Sequence, residues 1–226
     1  ANFQNVKISG EPASADYKAA EEFVVKFNEF LKENNYTKEQ IFNVDETGLY
    51  WKKMPERTYI HKEEKSMPGF KAFKDRITVL LGGNIAGYKL KPFVVHRSKN
   101  PRVFKGVNIN MLPVHYNSNK NAWMTQLLFL YWFMKVFATE VKEYCNQHKI
   151  SFKILLLLDN APGHPPRLGD LHPNIQIMYL PPNTTSILQP MDQGAKATFK
   201  AHYLKITFTQ AIMAIEEGIT LKEFWS

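Results

Sequence analysis

At 226 residues the chain suits one domain of ordinary size. Hydrophobic residues make up 44% and aromatics 13%, enough for a sizeable core and against global disorder. Its single cysteine, Cys145, rules out an internal disulfide and a Cys-rich zinc module. Residues 1–18 hold no apolar signal segment. The longest stretch without charge, Pro or Gly, residues 121–134, is too short to span a bilayer. A reducing, intracellular setting and no membrane partner are expected.

The net charge of +8 is unevenly spread. Residues 1–51 carry 5 basic and 9 acidic side chains, residues 52–76 carry 8 and 4, and residues 77–139 carry 8 and none. Such asymmetry favours a polyanion such as nucleic acid. A solvated basic face explains the charge alone equally well.

In chain order, residues 1–13 read as a polar linker. A leading helix is assigned to residues 14–36, capped by Ser14 or Asp16. Phe23, Val24, Phe27, Phe30 and Leu31 line one face of it. Residues 37–40 have the form of a capping box, and a strand follows at residues 41–45. Residues 50–76 are irregular and basic. Strands are expected at residues 76–81 and 90–96, joined through the glycine-rich residues 82–87 as a hairpin. Residues 97–120 read as a long basic loop. Residues 123–148 read as a long buried helix; its Trp123, Phe129, Trp132 and Phe133 offer rings that could stack on bases, but in so apolar a helix they read as core. The apolar run 152–158 marks a strand covered on both faces. Another strand is expected at residues 175–180 and a last helix at residues 192–217. Three closely linked strands predict an antiparallel meander. The strands that alternate with helices predict parallel neighbours, within one α/β sheet with helices on both faces.

Three acids stand where chemistry would want them. Asp45 closes the first strand, Asp159 closes the buried strand, and Asp192 opens the last helix. A carboxylate ending an apolar strand is costly unless it is paired or holds a metal. Hard cations such as Mg²⁺ or Mn²⁺ take oxygen ligands. Each acid also has a plainer reading: turn residue for Asp45 and Asp159, helix cap for Asp192. Asn160 is placed to orient the Asp159 carboxylate. His164 reads as a structural histidine in a Pro-Gly turn, and Glu46 points to the opposite face of the strand from Asp45.

Residues 43–49 (NVDETGL), 158–164 (LDNAPGH), 180–186 (LPPNTTS) and 188–194 (LQPMDQG) resemble the Tigger and pogo-like transposases of the Tc1/mariner superfamily. The likeness continues at residues 51–55 and 121–125 and covers nearly the whole chain. It implies a ribonuclease-H-like fold over residues 37–226 and a DDE triad of Asp45, Asp159 and Asp192 binding two Mg²⁺ or Mn²⁺ ions. It also implies strand cleavage at transposon ends and transfer into target DNA, typically at TA, in the nucleus and within a homodimer. Lys52, Lys53, Arg57, Lys71, Lys74, Arg76, Arg97, Lys99, Arg102 and Lys105 are then the candidates for DNA phosphates. The competing expectation is a domesticated relative that binds DNA or protein without cutting. The family carries helix-turn-helix units ahead of this domain, and residues 1–13 read as the linker after them.

Overall fold

The computed structural model describes residues 15–52 and 75–224. The linker reading of residues 1–13, and the candidate phosphate ligands Lys53, Arg57, Lys71 and Lys74, lie outside them. Helix α1, Tyr17–Asn34, is capped by Asp16, whose carboxylate accepts from the Ala19 amide at 2.9 Å. Its Phe27, Phe30 and Leu31 pack on Ile41, Leu155 and Leu157 of the sheet. The capping box forms around a short 3₁₀ turn, with the Thr37 amide donating to Gln40 Oε1 at 3.0 Å.

Strand β1 runs from Ile41 to Tyr50, five residues beyond the expected end at Asp45. The turn chemistry of residues 45–48 is overridden by strand β2, Arg76–Asn84, which pairs antiparallel along nearly all of it, from Phe42↔Asn84 to Tyr50↔Arg76. Gly82 and Gly83 lie within β2, not in the turn. A Cβ on Gly82 would stand 2.4 Å from Val44 Cγ1, and one on Gly83 2.5 Å from the Tyr88 carbonyl oxygen. The hairpin turns just beyond them, where Gly87 takes φ 97°. Strand β3 is Phe93–His96. Within the expected loop lies a further short strand, β4, His115–Ser118, parallel to β3. Its four residues lie on the sheet edge and lack an apolar alternation, so no periodicity marks it.

The long helix begins later than expected, at Gln126, with Thr125 as cap. It comprises α2, Gln126–Tyr131, a π-helical turn, Trp132–Phe137, and α3, Ala138–His148. Phe129, Trp132, Phe133 and Phe137 are buried against the sheet, whereas Trp123 is 59% exposed and is not core. Strand β5, Ile154–Leu158, is buried throughout. Its Ile154, Leu156 and Leu158 join the α2–α3 core, while Leu155 and Leu157 face α1. Strand β6, Ile175–Tyr179, completes a six-stranded mixed sheet in the order β4-β3-β2-β1-β5-β6. After it come α4, Thr185–Leu188, a kinked turn at Met191–Ala195, α5, Lys196–Glu216, and α6, Leu221–Phe224. Helix α5 begins four residues later than expected because Gly194, at φ 112°, breaks the helical path.

Only β2 opposes the others in direction. The carboxyl ends of the remaining five strands therefore share one edge of the sheet, where open α/β sheets usually bind their ligands.

Candidate active site

Strands β1 and β5 pair in parallel from Ile41↔Leu155 to Asn43↔Leu157. Two residues further along each chain stand Asp45 and Asp159, so the register brings the two acids level. Side-chain alternation puts Asp45 on the α1 face of the sheet with Ile41, whereas Asp159 stands just past the end of β5. Beyond Asn43 the two strands separate. The fully buried Gln189 reaches the Val44 carbonyl at 3.5 Å, and the Asn43 amide donates to the Leu157 carbonyl at 3.2 Å. The amide oxygens of both residues are buried without a hydrogen-bond partner.

The kinked turn before α5 brings Asp192 to the same face. Lys196 joins the two acids, its Nζ lying 2.7 Å from Asp45 Oδ2 and 2.5 Å from Asp192 Oδ1. Asp192 is thus the partner of a lysine one turn along, not a plain helix cap. Asp159 is held differently. Its Oδ1 lies 2.9 Å from His164 Nδ1 and accepts from the Ala161 amide at 3.2 Å. His164 Nε2 meets the Glu46 carboxylate at 3.2 Å, and its ring packs on Phe129 at 4.4 Å between centroids. Glu46 does point away from the Asp45 face, but His164 couples it to Asp159 around the strand end. Asn160 does not orient the Asp159 carboxylate; its amide donates to the Leu180 carbonyl at 2.6 Å.

The electrostatics follow from burial. Asp45 is 5% exposed. Desolvation lifts its carboxyl to about 7, the charges of Asp159 and Asp192 add to the rise, and Lys196 opposes it. Burial also works against the charged form of His164, but its bonds to Asp159 and Glu46 outweigh this and raise it to about 10. Burial acts to raise Asp159, yet His164, the Ala161 amide and Lys196 together hold it below the usual carboxylate range. Burial acts to lower Lys196, and Asp192 and Asp45 more than reverse it. The cluster therefore gathers four acidic side chains, Asp45, Glu46, Asp159 and Asp192, around Lys196 and His164.

Among the described residues, no group of three His, Cys, Asp or Glu side chains is arranged to hold an ion as it stands. The donor chemistry nonetheless fits a hard divalent cation. The acids offer only oxygen, and a positive charge already lies between two of them. Lys196 and the Glu46–His164 coupling escape a reading of the sequence alone. Their signals are an acid-to-lysine spacing of four at Asp192, and the separate positions of Glu46 and His164 beside two candidate acids.

The candidate phosphate ligands are less uniform. Arg97 lies 3.1 Å from Asp75 and Lys52 lies 4.0 Å from the same carboxylate. Arg76 stacks over the Trp123 ring at 4.7 Å. Lys99, Arg102 and Lys105 are exposed.

This mixed six-stranded sheet with its helices is a ribonuclease-H-like fold, similar to that of Mos1 transposase. The pre-cleavage Mos1 transpososome matches with TM-score 0.57 at 10% identity, over 99% of this chain and 62% of that one. The Mos1 mariner paired-end complex with Mn matches with TM-score 0.54 at 12% identity, over 99% and 62%. Residues 74–224 match the DDE superfamily endonuclease model, and the chain belongs to that family. It is 37% identical to human Jerky protein homolog over 204 residues, 89% of this chain and 36% of that protein. It is 33% identical to human Tigger transposable element-derived protein 7 over 205 residues, 88% of this chain and 37% of that protein. The chain thus spans little more than a third of the length of these relatives.

Proposed function

We propose that the chain is the catalytic domain of a DNA transposase, cutting and joining DNA strands through Asp45, Asp159 and Asp192. The observation that carries this reading is the Lys196 ammonium held between Asp45 and Asp192, with Asp159 level with Asp45 just past the end of the adjoining strand. It marks the point where these acids call for a cation. A divalent cation bound there by the three acids would activate the attacking oxygen and offset charge at phosphorus. Of the chain's own groups, Asp45 supplies the buried carboxylate, and His164 fixes the direction of Asp159 from behind. The kink at Gly194 aims Asp192 back at the sheet.

The neighbours support a DNA substrate, since the matched Mos1 structures are a transpososome and a paired-end complex. Transposon ends, a TA target, a nuclear location and a working dimer belong to the same proposal. The test is a plasmid-nicking assay with Mg²⁺ or Mn²⁺ on the parent and on Asp159→Asn. Nicking by the parent should drop by orders of magnitude in the variant while DNA binding persists, because removing a carboxylate lessens the repulsion of phosphate. Equal rates in both would remove Asp159 from the chemistry.

A second reading, a DNA-binding module that no longer cuts, rests on the same lysine. With Lys196 in place the acids are already partly neutralised. A parent that binds DNA but never nicks it, even with matching ends and a fused helix-turn-helix region, would favour that reading.

A further inference from the structure

We propose that Trp123, backed by Arg76, is a stacking platform for an unpaired nucleobase beside the loop that joins Asp159 to His164. This rests on the DNA reading above and adds an interaction that the triad does not provide. An indole 59% exposed is unusual for the largest side chain, and it stands here on a fixed backbone. Ala122 before it is buried and takes the left-handed conformation, φ 52°, which favours glycine. Its carbonyl accepts from Thr78 Oγ1 at 2.7 Å. The Asn119 carboxamide holds the Trp123 amide at 3.1 Å and also donates to the Trp123 carbonyl. The main chain is thus secured on both sides of a ring that is left out of the core.

The ring's surroundings name its ligand. The Arg76 guanidinium lies over it at 4.7 Å, and the arm of Arg76 crosses Gly48, where a Cβ would come within 3.0 Å of Arg76 Cδ. Gly48 is three residues past Asp45 on β1. On the other side, Gln126 donates to the Pro162 carbonyl at 3.0 Å, and the Met124 carbonyl stands 3.5 Å from a Cβ placed on Gly163. Pro162 and Gly163 belong to the loop between Asp159 and His164. The platform therefore packs against β1 on the face that Glu46 shares, opposite Asp45, and against the loop that follows Asp159. An aromatic face with an arginine on it accepts any base through its π surface, and the cation suits the phosphates alongside. Inside a duplex that π surface is covered by neighbouring pairs. A base freed near a cut strand end exposes it.

The test compares Trp123→Ala and Trp123→Phe with the parent chain. Each is titrated against a blunt duplex and against the same duplex with a short single-stranded overhang, by fluorescence anisotropy. Trp123→Ala should lose roughly 5- to 100-fold affinity for the overhang substrate and little for the blunt one. Trp123→Phe should keep most of it. Unfolding temperatures should be close for all three, since the side chain is outside the core. Parent-like affinity of Trp123→Ala for the overhang, or an equal loss on both substrates, overturns the platform and leaves the DNA reading standing. A parent that binds neither substrate overturns both. A Trp123→Ala change confined to self-association in sedimentation assigns the ring to a protein interface and likewise overturns the proposal.

Discussion

Lys196 neutralises a carboxylate that is 5% exposed, so Lys196→Met leaves Asp45 without its nearest positive charge. Breaking such a pair from one side should cost about 2–3 kcal/mol, a fall in unfolding temperature of roughly 5–10 °C. Mn²⁺ should then raise the unfolding temperature of the variant more than that of the parent, since no ammonium competes for the oxygens. A variant as stable as the parent, with the same response to Mn²⁺, would show that the ammonium is not the counter-charge of this site. His164 makes a prediction in pH. Its folded-state value, about 10, lies above the usual histidine range. The stability it adds is therefore fully present below about 6.5 and disappears as pH rises through about 10. The difference in denaturant-unfolding free energy between the parent and His164→Gln should be largest near pH 6 and shrink towards pH 10.5. A difference constant across that range would mean that the ring acts by packing on Phe129 alone.

At the scale of elements, the most demanding approach is between β1 and β2. Gly82 lets the two strands close up where Val44 and Leu90 pack. A Cβ there would meet Val44 Cγ1 at 2.4 Å, Leu90 Cδ1 at 2.9 Å and the Asn43 carbonyl at 3.0 Å. Gly82→Ala should cost about 1–3 kcal/mol in urea unfolding by overpacking. Because the strain falls one and two residues from Asp45, it should also depress any nicking activity; an unchanged midpoint would show that β2 can shift freely. The same strands divide what is legible in the sequence from what is not. Strand β5 is readable because five successive apolar residues bury both faces. The acid at its end is readable from the motif around it. The length of β1 is not, because Asp45-Glu46-Thr47-Gly48 has turn chemistry and only the distant β2 makes it a strand. The glycines of residues 82–83 resemble turn glycines, and their need for close approach exists only once Val44 and Tyr88 are in place. The pairing of Glu46 with His164 spans 118 residues and has no local signature.

At the scale of the molecule, strand direction decides where charge can act. The carboxyl ends of β1, β3 and β5 lie on one edge of the sheet, which places Arg97 and Lys99, directly after β3, on the edge that carries Asp159, with Arg102 and Lys105 further along the segment that leads to β4. Neighbouring strands are about 4.8 Å apart, so β3 lies roughly 10 Å from β1, within the reach of a DNA backbone passing the acids. Arg97 is exposed but already has Asp75 as a partner, and Lys99, Arg102 and Lys105 are the other exposed charges of this group. Changing these three to Gln should weaken binding to all DNA sequences alike. It should lower the slope of log affinity against log salt by about one for each phosphate that is no longer neutralised. A control with the same change in charge is available, because Lys38 and Lys149 precede β1 and β5 at the opposite edge and Lys142 is exposed on α3. Converting Lys38, Lys142 and Lys149 to Gln removes the same three charges and should leave the slope near that of the parent. If both triple variants show the same drop in slope, only the total charge of +8 matters, and the sheet edge bearing the acids is not the DNA-facing surface.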